Sequence, residues 1–134
     1  MKHFFNQFII KILSFLPLSA IWIAAGRYVA GENKEDALRI VKKLNQKGFF
    51  ATLDILGEHS VNKEISRYFT IQYQTLLDSI YDQNLKCNIS IKPSHLGMDV
   101  STDCICENMK YLIEHSRKNN NFIRIDMEDS SLTD

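Results

Sequence analysis

"KCNISIKPSHLGMDVSTDCICENMKYLIEHSRKNNNFIRIDMED" occupies residues 86–129. Its two ends read as strands and its middle as a helix. Residues 86–97 begin with a short β-prone run, and Pro93, which has no N–H to give to a ladder, marks where that strand ends. Residues 101–120 carry a helical pattern, with Ser101 or Thr102 placed to cap its first turn. Residues 121–129 alternate again, apolar Phe122, Ile123 and Ile125 being interleaved with Arg124 and Asp126. Strand, helix and strand at this spacing predict a parallel pair joined by a right-handed crossover.

Working outward, the same rhythm continues upstream. "SVNKEISRYFTIQYQTLLDSIYDQN" (60–84) is an amphipathic helix with Ile65, Phe69, Tyr73, Leu76, Leu77 and Ile80 on its apolar face. "FFATLDILG" (49–57) is a nearly continuous apolar run broken by Asp54, and it predicts a strand covered on both faces. "ENKEDALRIVKKLNQKG" (32–48) is a helix. Asn33 is its N-cap, Glu35 and Asp36 suit its positive end, and Gly48 is its stop. The order helix, β, α, β, α, β argues for an α/β fold with a parallel sheet, either a doubly wound open sheet or part of a (β/α)8 barrel. The first strand is followed by "LDILGEHS", which has a single glycine where a dinucleotide-binding turn needs three.

Residues 8–25, "FIIKILSFLPLSAIWIAA", are apolar but interrupted by Lys11 and Pro17. A packed helix is favoured there over a signal peptide or a membrane anchor, because a lysine and a proline both suit a bilayer badly. The division expected is an apolar helical segment over 1–31 and the α/β part over 32–134.

The chain has 134 residues, near one domain in length and well short of the roughly 250 of a closed barrel. Sixteen basic residues balance sixteen acidic ones, so nothing in the charge favours a nucleic-acid partner. Cys87, Cys104 and Cys106 make an odd count without regular spacing, which fits a reducing compartment. The lone Cys-x-Cys points its thiols in different directions on a helix, so buried or half-buried thiols are expected and a metal site is not.

Each strand places charge late in its length: Asp54 and then Glu58, Lys92, and the group Asp126, Glu128 and Asp129. Each charge alone could be a loop cap or a solvated side chain. Together, on successive parallel strands, they predict an acid–lysine–acid cluster on the sheet's C-terminal rim, where α/β folds bind ligands. His59 and His95 follow the first two strands and read as surface loop histidines. Tyr68, Tyr73 and Tyr81 read as core or interface.

Four stretches carry a resemblance to the flavin-dependent proline dehydrogenase family: "RYVAGENKEDALRIVKKLNQKG" (27–48), "TLDILGE" (52–58), "ISIKPSHLGMD" (89–99) and, most specifically, "FIRIDMEDSSLTD" (122–134). The resemblance implies the first three βα units of a (β/α)8 barrel preceded by N-terminal helices. It implies bound FAD and oxidation of L-proline to 1-pyrroline-5-carboxylate in proline breakdown to glutamate, with a membrane quinone as electron acceptor. Carried over by position, it implies Asp126 as the catalytic acid, Lys92 and Asp54 as substrate-binding residues and Met127 against FAD. Pro93 and His95 depart from the family's usual residues and put the aim of Lys92 in question. The arginines that grip the proline carboxylate in the family lie on later elements. The chain is therefore expected to be an incomplete barrel, inactive alone and in need of the C-terminal half as partner. The expected location is cytoplasmic, with peripheral membrane contact left open. Two other readings stand beside this one: a non-catalytic α/β module pairing with a separately encoded half, and a small membrane-tethered protein.

Overall fold

The computed structural model describes residues 30, 31 and 33–128. Met1–Ala37 and Leu38–Asp134 form separate compact units, and the packing described below is that of the second. The expected helix at residues 8–25 lies outside the described residues. Among the described residues no helix is long and apolar enough to cross a membrane.

Helix α1 spans Lys34–Gln46 and begins as its sequence dictates. The Asn33 side chain accepts the Asp36 amide at 2.9 Å, satisfying one of the orphan donors of the first turn. Gly48 ends it with φ 85°, a conformation that costs glycine little. Asn45 then bridges to the next layer: its amide donates to the carbonyls of Phe49 and Lys86, and its oxygen accepts the Lys86 amide at 2.7 Å.

Strand β1 (Ala51–Leu53) follows, then helix α2 (Lys63–Asp82), strand β2 (Cys87–Ile91), a 3-10 turn (Pro93–Leu96), helix α3 (Thr102–Lys118) and strand β3 (Ile123–Ile125). Among the described residues the strands form one parallel sheet in the order β1-β2-β3. Ala51 pairs with Cys87 and Leu53 with Ile89; Ile89 pairs with Ile123 and Ile91 with Ile125. Helix α2 is capped by Asn62, which accepts the Ile65 amide, and α3 by Ser101, which accepts the Cys104 amide.

Side chains alternate across a strand. Leu53, Ile89 and Ile91 therefore share one face, and all three are buried. Helix α2 covers β2 and packs on α3, burying Phe69, Tyr73, Leu76, Leu77 and Ile80, with Leu112 from α3. Each fully buried aliphatic side chain of this set stabilises the fold by roughly 1.5–3 kcal/mol. Thr52, Asp54, Asn88, Ser90, Lys92, Arg124 and Asp126 fall on the opposite face.

Three expectations need correction. The run 49–57 is a strand only over Ala51–Leu53, and it is not covered on both faces: Phe49, Phe50 and Leu56 are exposed, as is Thr52. Asp54 thus lies just past β1, not within it. Strand β3 is Ile123–Ile125 rather than 121–129, and Ile125 is 57% exposed, because no described element covers the outer side of this edge strand. Cys106 is exposed, while Cys87 and Cys104 are buried and all three are free thiols. Burial pushes the Cys87 thiol up to about 11.

Candidate functional site at the C-terminal rim of the sheet

The three strand ends bring their charged residues to one rim. The Lys92 ammonium donates to Asp54 Oδ2 at 2.5 Å across β1 and β2. Ser90 Oγ donates to Asp126 Oδ1 at 2.5 Å across β2 and β3. The backbone amide of Asp126 donates to the Ile91 carbonyl at 3.0 Å, which continues the ladder one residue past β3. Lys92 and Asp54 are thus paired directly. Asp126 stands on the next strand and is held by Ser90 rather than by Lys92.

The two departures at Pro93 and His95 leave Lys92 aimed into the rim. Lys92 is the residue before the 3-10 turn, with φ −100° and ψ 124°, the extended conformation that a following proline favours. Pro93 takes the first position of the turn, where its lack of an N–H leaves no bond unmade.

Glu128 belongs to the same rim. Its carboxylate accepts the Ser94 amide at 2.8 Å and the Ser94 hydroxyl at 2.6 Å, which clamps the end of β3 to the turn after β2. The sequence signalled Glu128 only as one acid in a cluster. Met127 is 85% exposed and Arg124 is exposed, so both are available to a ligand or to another element.

His95 is not a surface residue. It is fully buried, stacked on Phe69 at 4.0 Å between centroids, with Nδ1 3.0 Å from the Tyr73 hydroxyl. Burial lowers its pKa and keeps the ring neutral, against an opposing pull from the Gly57 backbone. Burial and the nearby Asp54 raise the Tyr73 hydroxyl well above its ordinary range. His59 is the exposed loop histidine of the pair and bonds Asp99 at 2.9 Å. Tyr73 is core as expected, while Tyr68 and Tyr81 are exposed.

A groove of about 910 Å³ lies at the opposite, N-terminal end of the strands, lined by Phe50, Lys86, Asn88, Asn121, Phe122 and Arg124 among others. Asp82, Lys86 and Arg124 put charges on its lining, while Asp54, Lys92, Asp126 and Glu128 are not among its lining residues. The rim, with its paired and bonded charges, is the better candidate for chemistry.

The described residues suit one part of a flavin cofactor. Exposed Met127 offers an apolar surface to a ring. Among the described residues no glycine-rich turn is present to cradle a pyrophosphate.

No protein-family model matches the chain. Curated proteins do. Proline dehydrogenase 2 from Bacillus subtilis subsp. natto is 33% identical over 107 residues, 80% of this chain and 35% of that protein. The proline dehydrogenase of Deinococcus radiodurans is 30% identical over 122 residues, 89% of this chain and 39% of that protein. The chain therefore spans little more than a third of the curated relatives it matches. Among solved structures, proline utilization A (PutA) from Bdellovibrio bacteriovorus, inactivated by N-propargylglycine, matches with a TM-score of 0.70 at 20% identity, over 81% of this chain and 14% of that one. That likeness shows the fold. The chain is a homologue of proteins named proline dehydrogenase, as the resemblance in its sequence implied.

Proposed function

We propose that this chain carries the first three βα units of a (β/α)8 proline dehydrogenase barrel, and that its rim supplies part of the pocket in which L-proline is oxidised to 1-pyrroline-5-carboxylate with FAD. The observation that carries the reading is the Lys92–Asp54 pair, standing with Asp126 at the C-terminal ends of parallel strands. Ligand sites of such folds lie at that end.

The chemistry follows from donors and acceptors. A lysine ammonium has three N–H donors, and Asp54 takes one. The others are free to meet the substrate carboxylate, with Asp54 holding the ammonium in place. Proline must lose its ammonium proton before its ring carbon can give up a hydride, because a cationic nitrogen cannot support the forming iminium. Asp126 is bonded to Ser90 through one oxygen, which leaves the carboxylate able to face the substrate or an arginine on another element. FAD, when bound, would supply the hydride acceptor, and exposed Met127 would offer it an apolar contact. The quinone acceptor, the cytoplasmic location and any peripheral membrane contact come with this family reading.

The 134-residue chain alone is proposed to be inactive. On the rim Lys92 stands among the carboxylates of Asp54, Asp126 and Glu128, and a zwitterionic substrate needs further cations for its own carboxylate. A second reading, an α/β module that pairs with a separately encoded half, is favoured by the uncovered outer side of β3, where Ile125 is exposed. The two readings meet in one experiment: flavin absorbance and proline-dependent dye reduction, measured for the chain alone and with the following barrel segment supplied as a second chain. Colour and dye reduction only in the two-chain sample are expected. Binding of the two chains with neither would leave the non-catalytic module.

A further inference from the structure

We infer that His95 is the positioning residue of the Lys92–Asp54 pair, tying the ends of β1 and β2 to helix α2 and so fixing where the two charges meet. That these charges serve a substrate rests on the proposed function; that His95 holds them does not.

The sheet ladder does not reach the pair. Pairing of β1 with β2 ends at Leu53 and Ile89, and both Asp54 and Lys92 lie beyond it. Other contacts must set their separation, and those contacts converge on His95. Its backbone amide donates to the Lys92 carbonyl at 3.0 Å. Its carbonyl accepts Ser60 Oγ at 2.7 Å, and the Ser60 amide donates to the neighbouring Ser94 carbonyl at 3.1 Å. The loop leaving β1 is thereby bonded to the turn leaving β2 on both sides of one peptide group.

The ring completes the joint. It lies nearly parallel to Phe69, at 7°, and its Nδ1 meets the Tyr73 hydroxyl, both partners being on α2. The Tyr73 oxygen also faces the backbone amide of Lys92. At the other end, Nε2 faces Gly57, three residues after Asp54. A Cβ at Gly57 would lie 3.3 Å from Nε2 and 2.6 Å from Phe69 Cζ, so the loop backbone comes as close as a glycine permits.

The protonation states agree with this geometry. Tyr73 keeps its proton and His95 is neutral, so the hydroxyl donates to Nδ1 and the ring proton sits on Nε2, toward the Gly57 backbone. Nε2 is buried without a well-formed hydrogen bond, which is unfavourable. The stack on Phe69 does not require that: phenylalanine would fill the space without a buried N–H. The polar ends of the imidazole are what distinguish it: Nδ1 bonds Tyr73 beside Lys92, and Nε2 lies close against the loop that follows Asp54.

The test reads the pair itself, by NMR of the Lys92 ammonium group in the full 134-residue chain. An ammonium held in an ion pair exchanges its protons slowly enough to be seen, and loss of the signal in Lys92→Met assigns it. The wild type is expected to show the signal. His95→Phe keeps the stack and is expected to lose it while the backbone amide spectrum stays dispersed. Tyr73→Phe, which removes only the hydroxyl, is expected to do the same and decides the question if His95→Phe does not fold. A Lys92 signal of wild-type intensity in a folded variant would overturn the inference, as would its absence from the wild type. A lowered melting temperature with the signal intact would mean a structural role only. A chain that passes while its two-chain assembly never oxidises proline would sink the proposed function and leave His95's role standing.

Discussion

On one face of the sheet, Ile89 and Ile91 are fully buried with Tyr73 and Leu77 of helix α2. On the other, Ser90 and Arg124 in the strands, with Asp54, Lys92 and Asp126 just past their ends, stand one residue out of phase and bond to one another or face outward. A single alternation thus separates what holds the chain together from what can meet a ligand. The apolar face gains its free energy from area removed from water and is insensitive to which aliphatic group supplies it. The polar face contributes little to stability, since a partly exposed ion pair is worth about 0–1 kcal/mol. Its value depends on placement.

The largest effect should come from the buried face. Leu77→Ala or Ile89→Ala removes a fully buried side chain and is expected to lower stability by about 2–5 kcal/mol, read from urea unfolding. A loss near zero would mean that the helix-covered face is not the core.

A smaller effect joins the two faces at His95. Its folded pKa lies below the ordinary value of about 6.5. The unfolded chain therefore binds the proton more readily, and stability is complete above about pH 6.5 and falls as pH drops below it. The groups facing the ring include Lys92, which lowers its pKa, and Asp54 and Glu128, which raise it. Urea unfolding at a series of pH values should show a shallower acid loss in His95→Phe than in the wild type, by at most about 1.4 kcal/mol per pH unit. Parallel curves would mean that the ring titrates normally.

On the polar face, Lys92→Met is expected to change stability by less than about 1 kcal/mol, which thermal melts can check. The smallest effect needs no mutation. Iodoacetamide should label Cys106 in the native chain and spare Cys87, whose thiol is buried and pushed up to about 11, as peptide mass mapping would show.

What the sequence made legible follows the range of the interactions. Helix ends were readable because caps are local: Asn33 and Ser101 do what their types and positions require. The parallel order was readable from alternation of periods. Strand lengths were not, because Phe49, Phe50 and Leu56 look like strand residues, yet only partners far along the chain decide whether they pair. The rim divides in the same way. Asp54, Lys92 and Asp126 announce themselves as charges at strand ends, but the direct pairing of the first two forms beyond the ladder and was not legible. His95 was hidden, since burial between Phe69, Tyr73 and Gly57 is a property of three distant positions. Glu128 was visible as a charge, but its clamp on Ser94 was not.

The most direct measurement is the flavin absorbance spectrum of this chain assembled with the following segment of a proline dehydrogenase barrel, recorded before and after adding L-proline, for the wild type and for Lys92→Met. The predicted result is a yellow assembly in both, bleached by proline in the wild type and scarcely bleached in the variant. Equal bleaching of the two would contradict the placement of the substrate at this rim.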